Sequence, residues 1–371
     1  MNTSKTYDCL MAGLAIFAMF FGAGNIIFPL ALGQQALDQL PWGLCGLLLT
    51  AVAMPFAGLI AMFRYEGQAG RFFSRIGAIP GLTVAFFTIS VLGPLGAAPR
   101  CIALAHSTMS ISWPGIPLIL FSALACSFIF LFACRENRLL KLIGYFLSPI
   151  KITLLVLIII KGFMEAPEAV LTSIDTSKTS HFSHGLIEGY HTMDLLAAFF
   201  FAPIIISSLS GSFQDKQFRR FVLKASSIGA LLLAAIYVGF GYLAYLYASQ
   251  LEGIPNDKLL GTVAIHVLGP HAGFIVSLTV AIACLTTAIA LIAAFANFIH
   301  REIFREKISH VSVLLFALAL TFAITTLEFQ GIVNFLSPIL EICYPLLIAL
   351  TFYNLFAPRK TISQHLAGAS S

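Results

Sequence analysis

Apolar residues in this chain come in long, nearly unbroken runs, without the alternating or every-third-residue spacing of a soluble fold. The runs cover residues 10–32, 43–63, 79–98, 117–134, 142–160, 193–209, 221–248, 273–299, 311–327 and 332–356. Each is close to the roughly 20 residues that cross hydrocarbon as a helix, so the pattern predicts about ten transmembrane helices in an all-α polytopic membrane protein. The whole chain, 1–371, reads as a single transmembrane domain. Its longest outer loop spans 161–188, and its small, polar tail, 361–371, is expected to be disordered.

An even number of spans divided five and five has a topological consequence. A second copy of an odd-numbered unit enters the membrane from the opposite side, so any internal repeat is inverted, here at about 8–164 and 189–357. Inverted-repeat carriers place discontinuous helices at corresponding positions of their two halves, which makes the first and sixth runs the places to look. Both are anomalous. The first carries "FGAGN" at 21–25, and the sixth carries "FFFAPIIISS" at 199–208, where Pro203 lacks a backbone donor. Freed backbone at membrane depth is tolerated only where it is buried in protein or lines a cavity, so two breaks in matching helices predict a central site.

At the first break, the half before Phe21 would present free carbonyls, and the half beginning near Asn25 would present free N–H groups. The N–H groups around Ala23 and Gly24 suit a carboxylate, and Gly22 and Gly24 permit close approach. The carbonyls near Ala18 and Phe21 suit a monovalent cation or an ammonium group. The plainer reading is a glycine-lined helix crossing, but G-x-G is not small-xxx-small spacing and leaves Asn25 unexplained. In the eighth run, "ACLTTAIA" sets Ala283 three and four residues before Thr286 and Thr287, so a carbonyl and two hydroxyls converge on one face. These are the hard oxygen ligands of a small cation; threonine hydroxyls also bond the carbonyl one turn back, and spacing alone leaves both readings open.

Charge orients the chain. At 59% hydrophobic and 10% charged residues, well below the roughly 25% charge of soluble domains, the sequence excludes a soluble fold. Lys5, Arg64, Arg71, Arg75, Arg135, Arg138, Lys141, Lys216, Arg219, Arg220, Lys224, Arg301, Arg305, Lys307, Arg359 and Lys360 fall on one side, against Arg100, Lys161, Lys178 and Lys258 on the other. The positive-inside rule then puts both termini in the cytoplasm. The net charge of +5 is spread over short loops and needs no nucleic-acid partner. The seven cysteines show no paired spacing, and His181, His184 and His191 fit no standard metal site, so neither a disulfide framework nor a transition metal is expected.

Ionisable residues at membrane depth are functional candidates. Lys151 is near the inner end of the fifth run, where it can snorkel or act as a tethered charge. Glu341, near the middle of the tenth, is expected to be buried and is a candidate for coupling. Asp194 and Arg100 read as gate or interface charges near the outer ends of their helices. No His/Asp/Glu constellation lines one face, which argues against an intramembrane enzyme.

The motifs "FGAGNIIFP" (21–29), "GPLGAAPR" (93–100), "SPIKI" (148–152), "GYHTMD" (189–194), "ACLTTA" (283–288) and "YP" (344–345) resemble, in order and spacing, the bacterial branched-chain amino acid:cation symporters. That resemblance implies the leucine-transporter inverted-repeat fold and sodium-coupled uptake of leucine, isoleucine and valine across the cytoplasmic membrane. It implies a transporter with no cofactor, whose partners are a neutral amino acid, Na+ and the lipid bilayer. It carries substrate contact onto Ala23 and Gly24, and the cation site onto Ala18, Phe21, Ala283, Thr286 and Thr287. It also implies that Phe201 and Ala202 line the pocket at the sixth-helix break.

Three departures stand out. Members of the family usually carry about two further spans after the tenth, whereas this sequence ends with the five-plus-five core. Ala202 and Pro203 stand where a glycine is expected, and Glu341 is an unexpected acid. Glu341 and Lys151 together keep a second reading open, a proton-coupled carrier of another neutral amino acid.

Overall fold

The computed structural model describes residues 3–111, 113–134, 152–167, 177–209 and 216–356. Lys151 and the tail 361–371 lie outside the described residues. All regular structure among the described residues is helical.

The first span is α1 (Thr3–Phe20) and α2 (Gly24–Ala36); the second is α3 (Leu40–Leu48) and α4 (Met54–Arg64), joined through a π turn at Leu49–Ala53. A short helix, α5 (Ala69–Phe73), leads to the third span, α6 (Ala78–Leu92) and α7 (Ala97–Ser110). The fourth and fifth spans are α8 (Leu118–Ala133) and α9 (Ile152–Met164). The sixth is α10 (Lys178–His191) and α11 (Asp194–Leu209), and the seventh is α12 (Lys216–Leu246). A connecting helix, α13 (Leu259–Leu268), precedes the eighth span, α14 (Pro270–Phe298), the ninth, α15 (His310–Thr325), and the tenth, α16 (Glu328–Phe356).

Packing follows the inverted five-plus-five plan. If the first span corresponds to the sixth, the second to the seventh and the third to the eighth, first-on-seventh contact must be mirrored by sixth-on-second. Both occur: α1 and α2 pack on α12, while α10 and α11 pack on α3 and α4. The third and eighth spans, which map onto each other, meet through α7 and α14. Small residues let these crossings close, since helices in lipid gain most from tight van der Waals approach. A Cβ on Gly33 in α2 would overlap the Gly241 carbonyl of α12, and one on Gly185 in α10 would overlap the Gly43 carbonyl of α3. Where the π turn loosens the second span, the Thr50 hydroxyl lies 3.0 Å from the Leu186 carbonyl and ties it to α10.

The sixth span differs from expectation in a way that moves the site. Hydropathy starts it at Met193 and assigns 161–188 to an outer loop, but residues 178–191 of the span form α10, and the helix breaks at Thr192 and Met193. Met193 takes φ of 61°, a left-handed conformation that ends one half-helix and redirects the next. The sequence of α10, "KTSHFSHGLIEGYH", escapes a hydropathy search because it turns His184, Glu188 and His191 toward a polar, open cavity. Pro203, in turn, breaks nothing: α11 runs through it, and the proline backbone abuts Gly67, where a Cβ would come within 2.9 Å of the Pro203 Cα. A proline inside a membrane helix is accommodated when neighbouring backbone covers it.

Candidate functional site at the two helix breaks

The first span breaks where the sequence places the break, at residues 21–23. The α1 chain closes with the Phe21 N–H on the Phe17 carbonyl at 2.9 Å, and the Gly22 N–H then donates to the Asn25 side-chain oxygen at 2.8 Å. Asn25 is therefore explained locally, because its side chain satisfies a donor freed by its own break. With its amide nitrogen it donates 2.7 Å to the Asp194 carboxylate, the first residue after the sixth-span break, and to the hydroxyl of Tyr237 in α12. Tyr237 itself donates to the same Asp194 oxygen at 2.9 Å. Asn25, Asp194 and Tyr237 are at most 2% exposed, so this network of two side-chain donors on one carboxylate works in a low dielectric where each bond is strengthened.

Asp194 and Arg100 are thus not at the outer ends of their helices. The third span is interrupted at residues 93–96, and Arg100 falls in the first turn of α7 with its N–H on the Gly96 carbonyl at 3.1 Å. Asp194 follows α10 within the same span, so it falls at the break between two half-helices. A Cβ on Gly24 would stand 3.1 Å from Arg100 Nη2 and 3.1 Å from the Thr192 Cα, so the first break, the sixth break and the third-span arginine converge. A side chain at Gly24 would be tight, so Thr192, Arg100 or Phe28 would have to give by a few tenths of an ångström.

On the other side of the first break, a Cβ on Gly22 would be 3.9 Å from Thr287 Cγ2 in α14. The Thr286 and Thr287 hydroxyls donate to the Ala283 carbonyl at 2.8 and 2.9 Å, which clusters three oxygens on the stretch of α14 whose Thr287 methyl approaches the break. A cation there would have to exchange those hydroxyl bonds for metal–oxygen bonds. Ala18 lies in the last turn of α1, and Phe21, buried, is the first residue of the break.

Other candidates fall elsewhere. Phe201 and Ala202 are buried inside α11, two turns beyond the break, because the break precedes Asp194 and not Pro203. Glu341 is exposed on α16, contrary to expectation; it accepts a bond from Ser337 at 3.1 Å, and Ser337 also lies 2.9 Å from His191 Nε2. Two residues were not anticipated. Tyr237 carries no signal beyond one polar aromatic in an apolar run, and Thr192 belongs to "GYHTMD", whose role is visible only once α10 counts as part of the span.

A cavity of about 310 Å³ opens beside the breaks, lined among others by Phe28, His184, Glu188, His191, Asn334 and Ser337. Glu188 bridges the two histidines, 3.3 Å from His184 Nε2 and 3.6 Å from His191 Nδ1. Phe28 closes the cavity toward the breaks, with its ring 5.1 Å from the Arg100 guanidinium and 5.3 Å from the His191 ring.

Residues 5–367 match the family described as branched-chain amino acid transport protein. The chain belongs to that family. Its relatives include the branched-chain amino acid permease BrnQ of Bacillus subtilis, 29% identical over 354 residues that cover 92% of this chain and 80% of the permease. A putative branched-chain amino acid carrier protein of Staphylococcus aureus is 30% identical over 385 residues, covering 95% of this chain and 84% of the carrier. The inward-facing structure of Mhp1 superposes with a TM-score of 0.67 at 15% identity, covering 94% of this chain and 76% of Mhp1. Family members are transporters, and the fold is the leucine-transporter inverted repeat.

Proposed function

We propose that the protein is a sodium-coupled symporter importing leucine, isoleucine and valine across a bacterial cytoplasmic membrane by alternating access, with both termini in the cytoplasm. The substrates follow from relatives that bear the name of branched-chain amino acid permeases and carriers. The observation that carries the mechanism is that Gly22 at the first break faces Thr287, while Asn25 of the same break bonds Asp194 at the other. Na+ binds to the carbonyls of Ala18, Phe21 and Ala283 and to the hydroxyls of Thr286 and Thr287. The amino acid binds across Gly22, Ala23, Gly24 and Asn25. Ordering of the break by the cation raises affinity for the substrate, and binding of either tightens the other.

The buried Asp194 supports a second reading, proton-coupled uptake of another neutral amino acid, because it supplies an acid at the site itself. Glu341, exposed and bonded to Ser337, is the other acid this reading could use. Labelled leucine uptake into proteoliposomes separates the two. Accumulation under an inward sodium gradient with no proton gradient supports sodium coupling; accumulation only under a proton gradient without sodium overturns it.

A further inference from the structure

The guanidinium of Arg100 is 2% exposed, and its Nε and Nη1 have no hydrogen-bond partner. No carboxylate among the described residues pairs with it: Asp194 is engaged by Asn25 and Tyr237, and Glu188 is held between His184 and His191. Phe28 covers one face of it, and Gly24 brings the start of α2 against Nη2. A buried charge is costly unless paired; Asp194 and Glu188 act on Arg100 from a distance but neither closes an ion pair with it, so part of that cost stands. The neighbouring N-terminus of α2 adds N–H groups and the positive end of a helix dipole, so a cation is repelled here and a small anion is attracted. The open Nε and Nη1 lie on different edges of the guanidinium, so each can donate a single charge-assisted bond to a carboxylate oxygen.

We infer that Arg100 binds the carboxylate of the transported amino acid. This rests on the reading of the chain as an amino acid carrier and adds the group that recognises one end of the substrate. Phe28 lines the cavity and covers the guanidinium, which does not itself line it, so a carboxylate from the cavity reaches Arg100 only when that ring swings aside. The N–H groups of Ala23 and Gly24 then complete the carboxylate's shell.

The test compares wild type with Arg100→Met and Arg100→Lys in purified form, using leucine and leucinol, which keeps the side chain and ammonium but lacks the carboxylate. Wild type is expected to bind leucine about 100-fold tighter than leucinol, the scale of a lost charge-assisted pair of bonds. Arg100→Met should bring leucine down to the level of leucinol while leaving leucinol affinity unchanged, and Arg100→Lys should restore part of the difference. A preserved leucine-to-leucinol ratio in Arg100→Met overturns the inference. Ligand-free stability gives an independent readout. Removal of an unpaired buried charge should raise the unfolding temperature of Arg100→Met, whereas a fall marks Arg100 as a structural residue and also overturns it. If leucine binds none of the three proteins, the substrate reading fails, and the direction of the unfolding-temperature change still decides whether Arg100 awaits an anion.

Discussion

The amide nitrogen of Asn25 lies 2.7 Å from the Asp194 carboxylate, so a single hydrogen bond ties the broken first span to the broken sixth. The two spans correspond under the inverted repeat, so the bond joins the two halves of the plan. Tyr237 closes a triangle with the same pair, anchoring it to the seventh span.

Asn25→Ala should cost about 1.5–3 kcal/mol, because it leaves a buried carboxylate with one donor fewer and orphans the Gly22 N–H. Tyr237→Phe should cost a similar amount. Because both donors serve one oxygen, the double variant should depart from additivity by at least about 0.5 kcal/mol in a thermal-unfolding cycle; simple additivity would mean that the triangle is not one network.

Thr286→Ala and Thr287→Ala test the cation site. Each deletes a hydroxyl from the α14 cluster on Ala283 while leaving the helix intact, and each should raise the sodium concentration for half-maximal uptake by about tenfold or more, the scale of one lost bond to a charged group. Unchanged sodium dependence in both variants would remove these hydroxyls from the cation's shell.

Glu341→Gln should change uptake and accumulation less than about twofold, since the substitution keeps an oxygen to accept from Ser337 and the side chain is exposed. Uptake assays with and without a proton gradient check this, and loss of accumulation would return Glu341 to a coupling role.

Gly185→Ala should destabilise the protein severely, because the added carbon runs into the Gly43 backbone of α3, which cannot rotate away as a side chain could. Overpacking costs about 1–3 kcal/mol, and a clash with backbone belongs at the upper end. Gly115→Ala, which meets nothing within 4 Å, is the matched control and should be neutral by unfolding temperature or monodispersity in detergent.

Most of the architecture was legible because lipid-facing helices must be apolar along their whole length, and the first break was legible because Gly22, Gly24 and Asn25 are out of place in such a helix. The sixth break was not. Residues 178–191 face a polar cavity and lose the apolar signature of a span, so the visible part of the sixth span begins one residue after the true break begins and Pro203 takes the blame. The same error displaced Asp194 to a helix end. Arg100 was misplaced differently, since the interruption at 93–96 extends the third span to Ser110, well past the apolar run that ended at residue 98. Burial of Glu341 was inferred from depth along the helix, but depth does not fix which face a residue occupies, and this one points outward.

The most direct test of a shared site at the two breaks is equilibrium binding of leucine to the purified protein across a sodium titration, with sodium affinity measured in turn at zero and saturating leucine. The two ligands should tighten each other by the same factor, about tenfold or more, as linkage through one ordered break requires. Leucine affinity that is independent of sodium, with sodium affinity equally indifferent to leucine, would contradict a site built jointly from the first, sixth and eighth spans.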